Sequence, residues 1–208
     1  MNTINCTEDT LREGIALLAV PLGECEQKKL MSFLGLLQKW NKAYNLTAIR
    51  DLNEMVKLHL LDSLAVVPFI LDEKSILDVG TGAGFPGIPL AICFPDKQFT
   101  LLDGNGKKIR FLLQVISSLG LENVTAVHSR VEKFRSEQCF DGIISRAVGK
   151  LSNTIQQAGH LLGSSGKWLF MKGEYPQEEL QDIDQEFSVH PLIIPGVEAK
   201  RHLVVITT

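Results

Sequence analysis

Two carboxylates and a cluster of glycines have the types and spacing to do chemistry in this chain. The run from Ser75 to Pro89, SILDVGTGAGFPGIP, reads as a buried strand that delivers Asp78 and a glycine-rich loop to the start of a helix. Ile76, Leu77 and Val79 suit an inner strand of a parallel sheet. Gly80, Gly82 and Gly84 accept positive φ and let a ligand lie against bare main chain. Pro86 and Pro89 fit the first turn of a helix, where a missing N–H costs nothing. A second carboxylate closes another short apolar run, QFTLLD from Gln98 to Asp103, where the next strand of an open sheet would offer it to a pair of ribose hydroxyls. Each Asp has a plainer reading as well. Asp78 could cap a strand-to-helix turn, and Asp103 could be a turn former ahead of Gly104-Asn105-Gly106.

The spacing of the glycines separates two ligand classes. A dinucleotide loop asks for G-x-G-x-x-G directly after the strand, but counting from Gly80 the third glycine position is Phe85. That pattern occurs two residues later, at Gly82, Gly84 and Gly87. From Asp78 to Gly84 the chain reads D-x-G-x-G-x-G, which resembles the first motif of S-adenosylmethionine-dependent methyltransferases. That cofactor carries an amino group and a sulfonium, both attracted by a carboxylate that would repel a pyrophosphate. A dinucleotide-dependent oxidoreductase stays open as the competing class.

The elements that must hold these residues follow from length and periodicity. At 208 residues, 45% hydrophobic and 22% charged, the chain can bury one substantial core. A helix opens near Thr7 with Leu11, Ile15 and Leu18 on its apolar face and closes at Pro21; MSFLGLLQKWNKAY forms a second; a third runs from Asp51, with Glu54 as capping partner, to near Pro68. From Ser75 the pattern alternates, with strands near 75–79, 98–103, 124–128, 140–145, 167–172, 188–194 and 202–206, and helices near 86–94, 107–119, 150–162 and 176–186. The expectation is an α/β fold: a mostly parallel, doubly wound seven-stranded sheet. Pro195 to Arg201 is too short for a helical crossover, so the last two strands should form an antiparallel C-terminal hairpin. One methyltransferase domain over 1–208 is expected, with a helical cap over 1–74 and a Rossmann-like cofactor-binding core over 75–208.

Several function classes are disfavoured. No run of eighteen apolar residues occurs and MNTINCTEDT lacks an apolar signal core, so neither a membrane span nor export is expected, and the cytoplasm is. Cys6, Cys25, Cys93 and Cys139 are scattered, and His128, His160, His190 and His202 have no metal-ligand spacing. No metal is expected. A net charge of -3 argues against a general nucleic-acid coat, yet Glu26 to Lys57 carries six basic residues (Lys28, Lys29, Lys39, Lys42, Arg50, Lys57) against three acidic ones. With Lys107, Lys108, Arg110 and the Lys200-Arg201 pair, these charges could track RNA phosphates or simply line solvated faces. A monomer is expected.

The motifs together resemble a known family. KWNKAYNLTAI (Lys39 to Ile49), HLLDSL (His59 to Leu64), DVGTGAGFPGIPLAI (Asp78 to Ile92), LLD ending at Asp103, SRVE (Ser129 to Glu132), SRA (Ser145 to Ala147) and RHLVVI (Arg201 to Ile206) are similar to the bacterial 16S rRNA guanine-N7 methyltransferases, the glucose-inhibited division protein B family. Gly104-Asn105 departs from the serine and bulkier residue usual after that Asp. The resemblance implies a class I S-adenosylmethionine-dependent fold and methyl transfer to N7 of a guanosine in 16S rRNA, guanosine 527 in the family, with the RNA or a small-subunit particle as partner. It also implies cofactor contacts by Gly80, Phe85, the Val131-Glu132 pair and Arg146.

Each position has its own reading too. Val131 and Glu132 follow the third strand, where a main-chain N–H can meet an adenine edge; otherwise they start a helical turn. Arg146 leaves the carboxyl end of the fourth strand, or is a surface arginine paired with an acid. It could also hold guanine O6 or a phosphate. His59 and Asp62, at i and i+3, could be a functional pair or a hydrogen-bonded packing pair. Guanine N7 carries no proton, so no catalytic base is named. The chain has neither a D/N-P-P-Y segment for an exocyclic amine nor a Pro-Cys nucleophile; Ser145-Arg146-Ala147 stands in that place. A methyltransferase with another RNA, protein or small-molecule target, or a silent rRNA-binding assembly protein, is the alternative.

Overall fold

The computed structural model describes residues 3–146 and 149–208, which leaves Ala147 of the Ser-Arg-Ala triplet outside them. Its helical N-terminal part comprises α1 (Thr3–Leu17), α2 (Glu24–Tyr44), the single turn α3 (Leu52–Met55), a π-helical turn over Val56–Leu61, and α4 (Asp62–Leu64). Leu30, Phe33, Leu34 and Leu37 recur on one face of α2 and are fully buried. The Asp51 carboxylate accepts from the Glu54 N–H at 2.9 Å and starts α3. The third helix expected from Asp51 to Pro68 is therefore interrupted: its middle widens into the π turn and its regular part ends at Leu64.

Alternation then begins with β1 (Ser75–Val79), α5 (Gly87–Cys93), β2 (Gln98–Asp103), α6 (Gly106–Leu119), β3 (Val124–His128), β4 (Phe140–Arg146), α7 (Leu151–Ala158) and β5 (Leu162–Lys172). After a short α8 (Gln177–Leu180) come β6 (Phe187–Pro191) and β7 (His202–Thr207). The seven strands run in the order β3-β2-β1-β4-β5-β7-β6. The first five pair in parallel, and β7 is antiparallel to both β5 and β6. β1 lies between β2 and β4, so the winding reverses beside it and opens a crevice at the carboxyl rim.

Further details differ from the periodicity, beginning with α1, which starts at Thr3, four residues before the expected Thr7. The final strand does more than close a hairpin: it inserts between β5 and β6, because Leu203, Val204 and Ile206 need burial on an inner strand while β6 is half-exposed. Leu162, expected to end a helix, begins β5, which starts five residues earlier than the expected 167. Only one turn of the helix expected over 176–186 forms, since Leu180 and Ile183 are the buried apolar side chains of that polar stretch. One apolar cluster joins α1, α2, α5 and α6 to one sheet face, and a second packs α7 and α8 on the other. The helical N-terminal part thus shares its core with the sheet.

Candidate active site

The glycine loop is fastened from below. Gly80 and Gly82 adopt φ of 68° and 64°, where an L side chain is strained. The N–H groups of Gly80 and Thr81 both donate to Leu102 O, at 2.9 and 3.1 Å, and pin the loop to the end of β2. Asp78 is fully buried beneath it, and its Oδ2 accepts from Thr81 Oγ1 at 2.7 Å and from the Gly87 N–H at 2.9 Å. A Cβ on Gly87 would lie 2.8 Å from that oxygen, so glycine is what lets the start of α5 reach the carboxylate. Burial pushes the Asp78 carboxyl up to about 6, against the pull of the Thr81 and Gly87 hydrogen bonds and the Arg146 charge. Its Oδ1 is buried with no hydrogen-bond partner.

Asp103 closes the other side. Its Oδ2 accepts from the Gly82 N–H at 2.9 Å and faces Lys108 Nζ at 3.5 Å, while its Oδ1 accepts from the Asn105 N–H at 2.8 Å. The turn and ligand readings of Asp103 therefore coexist: the carboxylate organises the loop and leaves further lone pairs toward the crevice. Asn105, in the departure from the family pattern, caps α6 by accepting from the Lys107 N–H at 2.9 Å.

A cleft of about 400 Å³ opens here, lined by Gly80, Asp103, Gly104, Arg130, Val131 and Glu132 among others. Its size suits a nucleoside. Val131 and Glu132 begin a 3-10 turn over Val131–Lys133, so the same residues serve the helical turn and edge the cleft. Gly80, Asp103, Val131 and Glu132 thus meet on one cavity, with Gly82 bonded to Asp103. Asp78, Phe85 and Arg146 do not line it. The bare loop, the exposed rim and the unpartnered Asp78 oxygen fit a ligand carrying a purine, a ribose diol and a cationic end.

Phe85 and Arg146 lie instead in a second cluster. The Phe85 ring is buried, packs on Phe33 at 5.0 Å between centroids and stacks on His59 at 4.5 Å. The Arg146 guanidinium sits 5.1 Å from the Phe85 centroid. It donates from Nη1 to Leu58 O at 3.1 Å and to Asp62 Oδ2 at 3.2 Å, with Nη2 3.4 Å from His59 Nδ1. Arg201 Nε donates to the other Asp62 oxygen at 3.1 Å. His59 and Asp62 accordingly form no pair with each other; both turn to Arg146. Arg146 is half-buried and paired with an acid from the helical part.

His59 is placed by residues that periodicity does not single out. The Asn41 side chain donates to Thr47 O at 3.0 Å and accepts from the Thr47 N–H at 2.9 Å, which sets Thr47 Oγ1 2.8 Å from His59 Nε2. Burial, with the adjacent Arg146 charge, lowers His59 to about 4, so it is neutral at physiological pH. The signal lies in the KWNKAYNLT motif itself, and charge and helical period alone do not reveal it.

Of the basic residues, Lys28, Lys57, Lys108 and Lys200 lie within ion-pair distance of Glu24, Glu54, Asp103 and Glu174. Lys39, Lys42 and Arg50 are exposed without an ion pair among the described residues, and the last two line a hollow of about 250 Å³ with Asn45.

The profile of the family described as rRNA small subunit methyltransferase G matches residues 26–204. Relatives of that name are 52% identical over 95% of this chain and 94% of theirs in Ectopseudomonas mendocina, and 48% identical over 94% and 96% in Coxiella burnetii. The chain belongs to this family. Solved structures bear out the class I methyltransferase fold: a SAM-dependent methyltransferase from Aquifex aeolicus has a TM-score of 0.56 at 18% identity, covering 73% of this chain and 92% of that one. A precorrin-6y C5,15-methyltransferase from Geobacter metallireducens has 0.54 at 15%, covering 79% and 92%. Among the described residues no helix is long and apolar enough to cross a membrane, and no cluster of three or more His, Cys, Asp or Glu could hold a metal ion.

Proposed function

We propose that this protein transfers a methyl group from S-adenosylmethionine to N7 of a guanosine in 16S rRNA. The observation that carries the reading is the full-length kinship with rRNA small subunit methyltransferase G relatives combined with a nucleoside-sized cleft beside the glycine loop. S-adenosylmethionine, when bound, supplies an electrophilic methyl on a positively charged sulfur. Gly80 and Gly82 let it approach the main chain, Asp103 takes the ribose hydroxyls, Val131 and Glu132 edge the adenine, and Asp78 lends negative charge beneath the loop.

The acceptor asks little of the protein in proton transfer. Guanine N7 has an in-plane lone pair and no proton, so alignment is the main task. His59, neutral and already bonded to Thr47, is not needed as a base. Arg146 sits where an open sheet places its ligand, at the carboxyl end of β4, and orients either cofactor or guanine. Lys39, Lys42 and Arg50 contact RNA phosphates, which position the substrate without reading its sequence. The protein works as a cytoplasmic monomer: its large exposed apolar side chains, such as Leu17, Leu71 and Ile193, lie far apart in the sequence, at the end of α1, before β1 and after β6.

The test is incubation with methyl-labelled cofactor and either 16S rRNA or small-subunit particles from cells lacking the enzyme, followed by mapping of the modified base. Label at N7 of one guanosine is expected. Label on another atom, on protein, or nowhere would overturn the reading.

A further inference from the structure

We propose that Asp62 is a positioning residue for Arg146, and that the π-helical turn of Val56–Leu61 is the receptor that holds this arginine. The inference rests on the methyltransferase reading above and names the residue that sets one part of that site. In a regular α-helix the Asp62 N–H would bond Leu58 O. Here it bonds His59 O and Lys57 O instead, so the Leu58 carbonyl does not receive the Asp62 N–H. It accepts from Arg146 Nη1 at 3.1 Å and lies at the same distance from His59 Nδ1. Wide turns of this kind recur where a helix serves a site.

The other contacts complete the grip. Asp62 Oδ2 holds the same Nη1, Phe85 lies against the guanidinium, and Phe85 is itself stacked on His59. Arg201 occupies Asp62 Oδ1, so the carboxylate cannot swing away from Arg146 without losing a second partner. The Asp62 side chain is 5% exposed with both oxygens taken, which excludes it from substrate contact. It acts only through the arginines. Those remain partly open, at 22% and 26% exposure, and each keeps N–H donors to spare. Arg146 stands two residues beyond Ile144, the β4 register partner of Asp78, so the grip sets a guanidinium beside the glycine loop.

Stability alone does not call for this assembly. Gathering charges in a half-buried place costs desolvation that their attraction barely offsets, and apolar side chains would hold the helices to the sheet as well. A fixed direction for Arg146 is what the charged version adds.

The test uses Asp62→Glu, which keeps the charge and moves it by one methylene, and Asp62→Asn, each in the full chain and each combined with Arg146→Lys. Cofactor affinity by calorimetry, kcat and KM on 16S rRNA, and Tm are measured. Asp62→Glu is expected to melt within a few degrees of the parent while kcat or cofactor affinity falls about tenfold to a hundredfold. The double variant should be no worse than Arg146→Lys alone. Parental kinetics and affinity in Asp62→Glu, or losses that multiply in the double variant, would overturn the proposal. Should the variants fail to fold, NMR of the parent protein decides: hindered rotation of the Arg146 guanidinium supports the grip, and free rotation removes it. Calorimetry and NMR need no RNA, so a parent protein inactive on 16S rRNA would count against the proposed function and leave the test of Asp62 intact.

Discussion

The glycine loop and the Arg146 junction sit at the same rim of the sheet yet are built in opposite ways. The loop is main chain organised by two carboxylates, Asp78 within the segment it holds and Asp103 at the end of the adjacent strand, 21 positions on from Gly82. The junction is side chain on side chain: two guanidiniums share the Asp62 carboxylate, and the adjacent His59 is neutral. One region has surplus negative charge and the other surplus positive charge. On the proposed function, a cationic nucleoside and a polyanionic RNA would meet different groups side by side.

This contrast can be broken most severely at Arg146. Arg146→Ala leaves Asp62 with Arg201 alone and vacates the face of Phe85; turnover should fall by about a hundredfold or more, the scale expected when a group that orients the reactants is removed. Near-parental methylation by the purified variant would remove Arg146 from the mechanism. On the loop side, Asp103→Ala strands the N–H groups of Gly82 and Asn105, and calorimetry should find cofactor affinity weakened by about tenfold to a hundredfold. Unchanged affinity would leave Asp103 as a turn former alone.

A pH titration of stability sharpens the comparison, because one group from each region titrates with opposite sign. Asp78 in the folded chain ionises near 6, above its ordinary 3.8. Its burial penalty is absent at low pH and fully present above about 6, so its contribution makes stability fall as pH rises through that window. His59 ionises near 4 when folded against 6.5 when free, so its contribution is intact above 6.5 and lost as pH falls toward 4. Each shift is worth on the order of 3 kcal/mol, and the two offset. Urea midpoints of Asp78→Asn should therefore rise with pH between about 4 and 6 more steeply than those of the parent chain. Equal slopes would mean that Asp78 titrates normally.

The smallest effects belong to the exposed cations. Lys39→Ala, Lys42→Ala and Arg50→Ala should each weaken RNA binding only a few-fold and lower the magnitude of the salt slope by about 0.7 to 0.9 for each phosphate left without its cation. Cofactor affinity should not change. A variant with the parental salt slope would place its residue off the RNA path.

The loop was legible because its determinants are neighbours in the chain. An apolar run, an acid and glycines at alternate positions dictate a strand that ends in positive-φ turns, whatever packs around them. The same holds for the parallel alternation, whereas the cap that Asn105 places on α6 came from the structure, and the place of β7 between β5 and β6 depended on which of two late strands was the more apolar. Arg146, Asp62 and Arg201 had no such local signature. They lie 84 and 139 positions apart along the pairs they form, and nothing periodic in the sequence relates them.

By itself, then, the sequence determined the glycine loop, the order of strands and helices, and the family, since short-range sterics and hydrophobic period act within a few residues. Only the tertiary structure decided that Phe85 belongs to the junction with the helical part, that His59 and Asp62 meet Arg146 in place of each other, and that the Leu58 carbonyl of a widened helical turn meets the same guanidinium. Those choices follow from how the N-terminal helices dock on the sheet, because a guanidinium finds its acceptors only after distant elements have been packed together.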